Sequence, residues 1–408
     1  KREFFLERAG LFSFGNARDT EIFFSRRIGL TNEIRGGGRL TGQVGRISIG
    51  AMSLQTEDAV IDSVPLPGAN NSVFRLRADV LPRTTVGGIV TSVQDDLGHN
   101  RVAGADAQVR FWGSSTFDGW IASVWDSGRE RQGAASAALD LRPQRWWSVS
   151  ANVLSVDEDF SPALGFVRRR DMVKLGGNLA WTPRFESSDW ARSLVVALVG
   201  DRTNGQDGSR RSSSQLVHNM LSFQQGGWVT LNARRRFERL EEDASIQGRV
   251  LPPGDYIFTA VDAGLQTDES RTLSGRASLL VGDFWSGTRT EYGGRLAWKT
   301  GPFLTLTGAV TRNDIELPVQ DGAFSTTILS LDVLGALSRK LFANALVQWD
   351  DVSKVLQASV RVDWIHTPGS DLFLVLDTGY RTGDALDPRE TRWLRRTGVV
   401  KLTWLKAF

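Results

Sequence analysis

The sequence has no cysteine, only 3 histidines and only 12 prolines among its 408 residues. The absence of cysteine excludes disulfide bonds and thiolate metal sites. No apolar run reaches the roughly 18 residues that a transmembrane helix needs. The 49 basic and 46 acidic residues leave a formal net charge of only +3. This balance argues against a nucleic-acid partner, because nucleic-acid-binding surfaces are strongly basic.

Domain linkers are also missing from the chain. A soluble chain of this length would ordinarily fold as roughly two or three domains. However, no Pro/Ser-rich stretch, block of like charge or shift in composition marks a boundary. Short segments of one kind instead recur from about residue 39 to the end, separated by turn-forming residues. We therefore expect one repetitive β-architecture.

Those segments alternate apolar and polar side chains with the two-residue period of a β-strand. Clear examples are Phe74, Leu76, Ala78 and Val80 against Arg75, Arg77 and Asp79, and Ala105, Ala107, Val109 and Phe111 against Asp106, Gln108 and Arg110. Many of the 14 tryptophans fall near segment ends, where transmembrane barrels carry aromatic girdles. The pattern predicts strands with one face toward lipid and the other toward water.

The links between the segments alternate in length. Short links are expected at residues 81–84, 142–145, 224–227, 300–302 and 366–371, and long ones at residues 56–71, 156–170, 201–213, 239–254, 312–322 and 383–394. Bacterial outer-membrane barrels have short periplasmic turns and longer extracellular loops. The sequence therefore predicts an all-β, transmembrane, antiparallel up-and-down β-barrel of about 22 strands, with about 20 or about 24 as alternatives. It spans residues 21–408, and residues 21–30 are its expected first strand.

The chain ends on a strand-like segment, residues 395–408, whose last residue is aromatic. Such an ending resembles the signal that the outer-membrane assembly machinery recognises. Trp404 and Phe408 are the predicted assembly signal. Lys406 departs from the pattern on the same face, where a long cationic side chain can reach the headgroups.

The first 30 residues are unlike the rest and carry a family resemblance. The runs FFLE, LFSF and IFFSRRIGL resemble the start of the C-terminal barrel domain in a bacterial family of outer-membrane proteins of uncharacterised function. Members usually carry a carbohydrate-binding, family-9-like domain ahead of the barrel, so we expect this chain to be part of a longer polypeptide. After Glu7 the sequence ERAG stands where the family has EG. The resemblance implies an outer-membrane barrel in a Gram-negative bacterium and no catalytic residues.

Two sets of residues are predicted to shape the interior. Residues 1–20 are expected to form a periplasmic segment or plug, because a barrel of about 22 strands is too wide for its wall side chains to fill. The aromatic residues expected in the plug, or along the rim, are Phe4, Phe5, Phe12 and Phe14. Charge on the lipid face would cost roughly 2–4 kcal/mol at the membrane midplane. The side chains expected to line the lumen are therefore Arg75, Arg77, Asp79, Asp106, Arg110, Arg234, Arg361 and Asp363.

Catalytic and metal-binding motifs are not apparent. His99, His218 and His366 lack the spacing of metal ligands, and Ser214 is too far along its strand to bond His218 directly. The acidic residues 157–159 and 241–243 are more typical of solvated loops than of Ca²⁺ sites. We expect no catalytic residues, no metal and no cofactor.

The favoured function is that of an outer-membrane channel or translocation conduit, with carbohydrate-related compounds as the expected solutes. The alternative is a membrane anchor or scaffold for a periplasmic carbohydrate-binding domain or a surface assembly, and an outer-membrane hydrolase ranks third. The expected partners are outer-membrane lipids and lipopolysaccharide, the outer-membrane assembly machinery, and proteins on the periplasmic side. An enzyme and a nucleic-acid partner are not expected.

Overall fold

The computed structural model describes residues 9–16, 18–61, 63–383 and 392–405. Its two helical elements are short 3-10 helices, Ala9–Phe12 and Ser25–Arg27. Within these ranges, no helix is long and apolar enough to cross a membrane.

Strands make up nearly all of the regular structure. They are β1 (Gly15–Asn16), β2 (Thr20–Glu21), β3 (Ile34–Val44), β4 (Ile47–Thr56), β5 (Ala59–Ile61), β6 (Val64–Leu66), β7 (Asn70–Leu81), β8 (Thr84–Gln94), β9 (His99–Phe111), β10 (Ser115–Asp126), β11 (Gln132–Gln144), β12 (Trp147–Val156), β13 (Phe166–Val167) and β14 (Met172–Trp181). The list continues with β15 (Ala191–Asn204), β16 (Arg210–Phe223), β17 (Trp228–Leu240), β18 (Ala244–Ile246), β19 (Arg249–Leu251), β20 (Gly254–Gln266), β21 (Leu273–Phe284), β22 (Gly287–Lys299), β23 (Leu304–Glu316), β24 (Ala323–Ser338), β25 (Leu341–Asp350), β26 (Val355–Thr367), β27 (Ser370–Arg381) and β28 (Arg392–Thr403).

The long strands follow one another as a barrel, and the predicted antiparallel up-and-down β-barrel is confirmed. Among the described residues it has 21 strands, namely β3, β4, β7–β12, β14–β17 and β20–β28. The short strands form three small sheets of their own, β1-β2-β13, β5-β6 and β18-β19. Two of these, β5-β6 and β18-β19, are hairpins within links that were expected to be long.

The prediction for residues 21–30 was wrong. Of these residues only Glu21 belongs to a strand, the two-residue β2, and the first barrel strand begins at Ile34. The physical reason is that Ile22 and Phe23 are consecutive and both buried. Successive side chains of a strand point to opposite faces, so these two residues do not fit a barrel wall with one apolar and one polar face. The boundary between N-terminal segment and barrel therefore lies after residue 33. The long link expected at residues 201–213 is also wrong, because β15 and β16 continue to Asn204 and from Arg210.

The chain forms two compact units. Unit 1 comprises Lys1–Trp181 and Leu198–Ser214, and unit 2 comprises Thr182–Ala197 and Gln215–Phe408. In unit 1, strand β7 shows the alternation of the wall: Val73 and Arg75 are 3% and 1% exposed, whereas Phe74 and Leu76 are 47% and 39% exposed. The buried face of these strands, which carries Arg75, is called the segment-bearing face below.

Each unit has its own buried cluster. In unit 1, residues 9–16 and 18–33 and the link between β12 and β14 pack on the segment-bearing face, in a core that includes Phe12, Phe14, Val73, Ile89, Val102, Phe160 and Leu164. In unit 2 a smaller cluster of Leu251, Ile315 and Leu317 joins the β18-β19 hairpin to the link after β23. The larger cluster defines the candidate site.

Candidate functional site

The N-terminal segment, defined as residues 9–33 without residue 17, is joined by hydrogen bonds to the link between β12 and β14. Strand β2 pairs with β1 on one side and with β13 of the link on the other. The Phe24 N–H donates to the Leu164 carbonyl at 2.6 Å, and Arg27 Nε donates to the Gly165 carbonyl at 3.0 Å. Segment and link are therefore a single hydrogen-bonded body.

Two phenylalanines of the segment are seated on glycines of the barrel strands. A Cβ atom added at Gly50 on β4 would lie 2.8 Å from Phe12 Cζ, and one added at Gly104 on β9 would lie 2.7 Å from Phe14 Cζ. Phe12 and Phe14 are only 4% and 2% exposed. Because glycine has no side chain, each ring can approach the wall closely. The two glycines therefore leave space on the barrel wall for the two phenylalanine rings of the segment.

Arginines of the wall cover the same two rings. The guanidinium carbons of Arg39 and Arg75 lie 5.3 Å and 5.1 Å from the ring centroids of Phe12 and Phe14, respectively. Such cation–π contacts contribute about 0.5–2 kcal/mol, more when water is excluded. Arg75 is almost fully buried and also forms a two-point ion pair with Asp106, at 2.7 and 2.8 Å. The ring of Phe14 thus packs against Gly104 of the wall and also contacts the guanidinium group of Arg75.

Polar contacts fasten the segment and the link to the wall. Lys174 Nζ on β14 lies 2.8 Å from Asp19 Oδ1 in the segment. Asn100 on β9 donates to the Ser161 carbonyl at 3.0 Å and accepts from the Ala163 N–H at 2.9 Å. These contacts fix both parts of the body in register with the barrel strands.

One carboxyl group of the segment has a perturbed pKa. Partial burial raises the pKa of Glu21 above its ordinary value, because burial disfavours the charged form. Glu21 lines a small cleft with Phe12, Phe23, Arg39 and Met52.

The residues predicted to line a lumen in unit 1 share the segment-bearing face. Arg75 and Asp106 meet as the ion pair described above. Arg77, Asp79 and Arg110 lie farther along β7 and β9, toward the short turns, and line one recess. Their common face is the geometry that the alternation predicted. Their role in a lumen stays a prediction.

In unit 2, the predicted lumen residues are spread over two regions. Arg234 forms an ion pair with Asp262 of the neighbouring strand β20, and Asn232 donates to Asp262 at 2.7 Å. Arg361 and Asp363 alternate along β26 with Val360 and Trp364, which are 38% and 45% exposed. Among the described residues of unit 2, Arg234 and Arg361 are not in contact. The predicted lumen residues of this unit therefore do not form one site.

The remaining predicted residues lie at the chain ends. Phe4, Phe5 and Phe408 fall outside the described residues. Trp404 is 70% exposed, and its ring stacks on His366 with centroids 6.0 Å apart. Its role in an assembly signal stays a prediction.

Several residues of the site escaped the sequence analysis. These are the glycine seats Gly50 and Gly104, the polar fasteners Asp19, Asn100 and Lys174, and the buried link residues Phe160 and Leu164. An isolated glycine within a strand pattern does signal close approach of another group. With 42 glycines in the chain, that signal does not single out two.

Catalytic geometry is sparse. His99 Nδ1 lies 3.1 Å from Ser127 Oγ, but the same hydroxyl accepts the His99 N–H at 2.7 Å, so it serves the loop. His218 Nδ1 lies 2.7 Å from Asn232 Oδ1, not beside Ser214. No cluster of three or more metal-ligating side chains occurs in the described part of the chain.

No family model matches this sequence, and no curated protein matches it significantly. Among solved structures, it is similar to the siderophore receptor PiuA from Acinetobacter baumannii, with a TM-score of 0.46, 10% identity, and coverage of 88% of this chain and 75% of that one. It is also similar to the ferric-catecholate import receptor Fiu from E. coli, with a TM-score of 0.42, 9% identity, and coverage of 89% and 70%. A third, FpvAI in its complex with pyocin S2, has a TM-score of 0.39, 11% identity, and coverage of 91% and 64%. The site described above is defined by this chain's own residues.

Proposed function

We propose that this chain is an outer-membrane β-barrel that acts as a conduit and that its N-terminal segment occludes the passage. The observation that supports the proposal is the burial of Phe12 and Phe14 in glycine seats on the segment-bearing face. Burying such rings contributes roughly 1.5–3 kcal/mol each. A barrel of this strand number has an interior wider than its side chains can fill, and the segment supplies the missing volume in unit 1.

The opposite face of the same strands supports a membrane location. Phe74 and Val90 are 47% and 50% exposed there, and Leu40 is 69% exposed on β3, which is separated from β7 by β4. A contiguous apolar surface of this kind is unfavourable in water and suits hydrocarbon. Membership in the family named above, its Gram-negative setting and a carbohydrate-related solute belong to the proposal and rest on the sequence resemblance.

A disulfide lock tests whether the segment occludes the conduit. Thr20 and Val167 are directly opposite on β2 and β13, where Cα atoms lie roughly 4.5–5.5 Å apart, within the span of a disulfide. The chain has no native cysteine, so Thr20→Cys with Val167→Cys gives one defined pair. The matched control is Ser53→Cys with Ser72→Cys, whose hydroxyls lie 2.9 Å apart within the wall.

Single-channel conductance in planar bilayers is the readout. We expect the oxidised Thr20/Val167 pair to hold a low-conductance state, reduction to release openings, and the Ser53/Ser72 pair to be indifferent to reduction. Removal of residues 1–20 should raise conductance further. If the lock and the deletion both leave the conductance of a normally folded barrel unchanged, the conduit proposal is wrong and the anchor or scaffold function is favoured.

A further inference from the structure

The short-turn end of unit 1 contains an open recess that the segment does not fill. Its volume is about 570 Å³, and its lining includes Arg46, Arg77, Arg83 and Arg110 with Asp79 as the only acidic side chain in that lining. Volumes of this order are typical of small-ligand sites. Four guanidinium groups thus face one carboxylate.

Within the part of the chain that the structure describes, these four arginines form no ion pair with an acidic residue. Among the described residues, no side-chain hydrogen bond or ion pair engages Arg46, Arg77, Arg83 or Arg110, and they are absent from the residues with further interactions. Three aspartates of β7, β9 and β10 have other hydrogen-bond partners. Asp79 accepts from Thr85 Oγ1 at 2.7 Å, Asp106 is paired with Arg75, at 2.7 Å, and Asp118 accepts from Gln108 Nε2 at 2.6 Å.

Backbone hydrogen bonds join Arg83 to Arg110 and Arg46 to Asp79. The Arg110 N–H donates to the Arg83 carbonyl at 2.8 Å, and the Asp79 N–H donates to the Arg46 carbonyl at 3.0 Å. Arg83 holds a left-handed φ of 69° in its turn, a conformation that glycine or asparagine adopts more readily. Turn geometry therefore does not account for an arginine at this position.

We propose that this recess binds a phosphate-bearing anion. Arginine presents a planar fork of donors that matches the oxygens of phosphate, and a multiply charged oxyanion would neutralise the excess positive charge. The ligand is either a soluble phosphorylated compound or the phosphate of a lipid headgroup, which share this chemistry. The inference does not depend on conduction, since an anchoring barrel would bind the same group.

Titration calorimetry of the full chain in neutral detergent, with pyrophosphate as the probe, tests the proposal. We expect saturable binding that Arg77→Gln and Arg110→Gln each weaken at least about tenfold, the effect of losing one charge-assisted hydrogen bond. Arg101→Gln is the matched control, because Arg101 is exposed on β9 as Arg110 is but lies near the other end of the strand. Absence of saturable binding, or equal weakening by Arg101→Gln, would overturn the proposal.

Nanodiscs separate the two sources of phosphate. If a lipid headgroup is the natural occupant, discs of anionic phospholipid should suppress pyrophosphate binding that discs of neutral lipid permit, and Arg77→Gln should remove the difference. If a soluble compound is the occupant, both kinds of disc should bind pyrophosphate equally. Either result supports a phosphate site, and no binding in either disc rejects it, independently of any conductance result.

Discussion

Arg75 on β7 and Asp106 on β9 form their ion pair across the strand that separates them, with Arg75 Nη1 and Asp106 Oδ1 2.7 Å apart. The strand between them is β8, and Gly87 lies beneath the pair. A Cβ atom at Gly87 would lie 2.5 Å from Asp106 Oδ1, 2.7 Å from Arg75 Nη1 and 2.9 Å from the Leu76 carbonyl oxygen. The pair therefore requires a residue without a side chain at this position.

The first prediction follows from that spacing. Gly87→Ala should destabilise the folded barrel by about 1–3 kcal/mol, since a backbone oxygen blocks relaxation of the added methyl group. Gly88→Ala is the matched control, because its Cβ would meet only the Gly104 carbonyl oxygen at 3.6 Å. Urea unfolding in detergent micelles measures both. Equal stabilities for the two variants would contradict the reading of Gly87.

The seat of Phe14 gives a second prediction. Phe14→Ala should cost about 3–5 kcal/mol of local stability and release the N-terminal segment. The reporter is a spin label on Ser13→Cys, an exposed segment residue, whose mobility should rise. The control is Trp112→Ala, which removes an aromatic side chain that is 70% exposed in a turn. An immobile label in the Phe14 variant would show that other contacts hold the segment.

The contact between Asp19 and Lys174 predicts rescue by charge reversal. Asp19→Lys alone should loosen the segment, because it places two cations where the ion pair was 2.8 Å long. Adding Lys174→Asp should restore docking, with a coupling energy of about 0.5–3 kcal/mol between the two sites. Label mobility at Ser13→Cys in a double-mutant cycle measures this coupling. Additive effects would mean that the pair contributes nothing to docking.

The sequence predicted the wall better than it predicted the site. The alternation of Phe74 and Leu76 with Arg75 follows from the two environments, lipid and water, that a transmembrane strand faces. The pattern can therefore be recognised from the sequence alone. Ile22 and Phe23 break that pattern because they pack in a core whose partners are far away in sequence. Which glycine receives a ring depends on strand register, and single-sequence patterns do not specify register.

Glu21 predicts a dependence of docking on pH. Burial raises the pKa of its carboxyl in the docked segment, so docking is strongest below the ordinary pKa of the group and weakens as the pH rises through the raised value. Glu21→Gln should remove this dependence and tighten docking at neutral pH. Glu33→Gln, at an exposed residue of the same segment, is the control. Label mobility that rises with pH to the same extent in both variants would refute the assignment.

The C-terminal aromatic residues predict an assembly phenotype. Trp404 lies just past β28, 70% exposed and stacked on His366, and Phe408 is the last residue of the sequence given. If these residues are read by the assembly machinery, Trp404→Lys and removal of Phe408 should each lower the amount of heat-modifiable, folded barrel in the outer membrane. Refolding of the purified chain in detergent should be unaffected, because Trp404 contributes little buried area.

Trp112→Lys is the matched control, since Trp112 is 70% exposed as well but lies within a turn. A loss of refolding in vitro would instead assign Trp404 to the stability of the barrel, and equal surface levels for all variants would refute the signal.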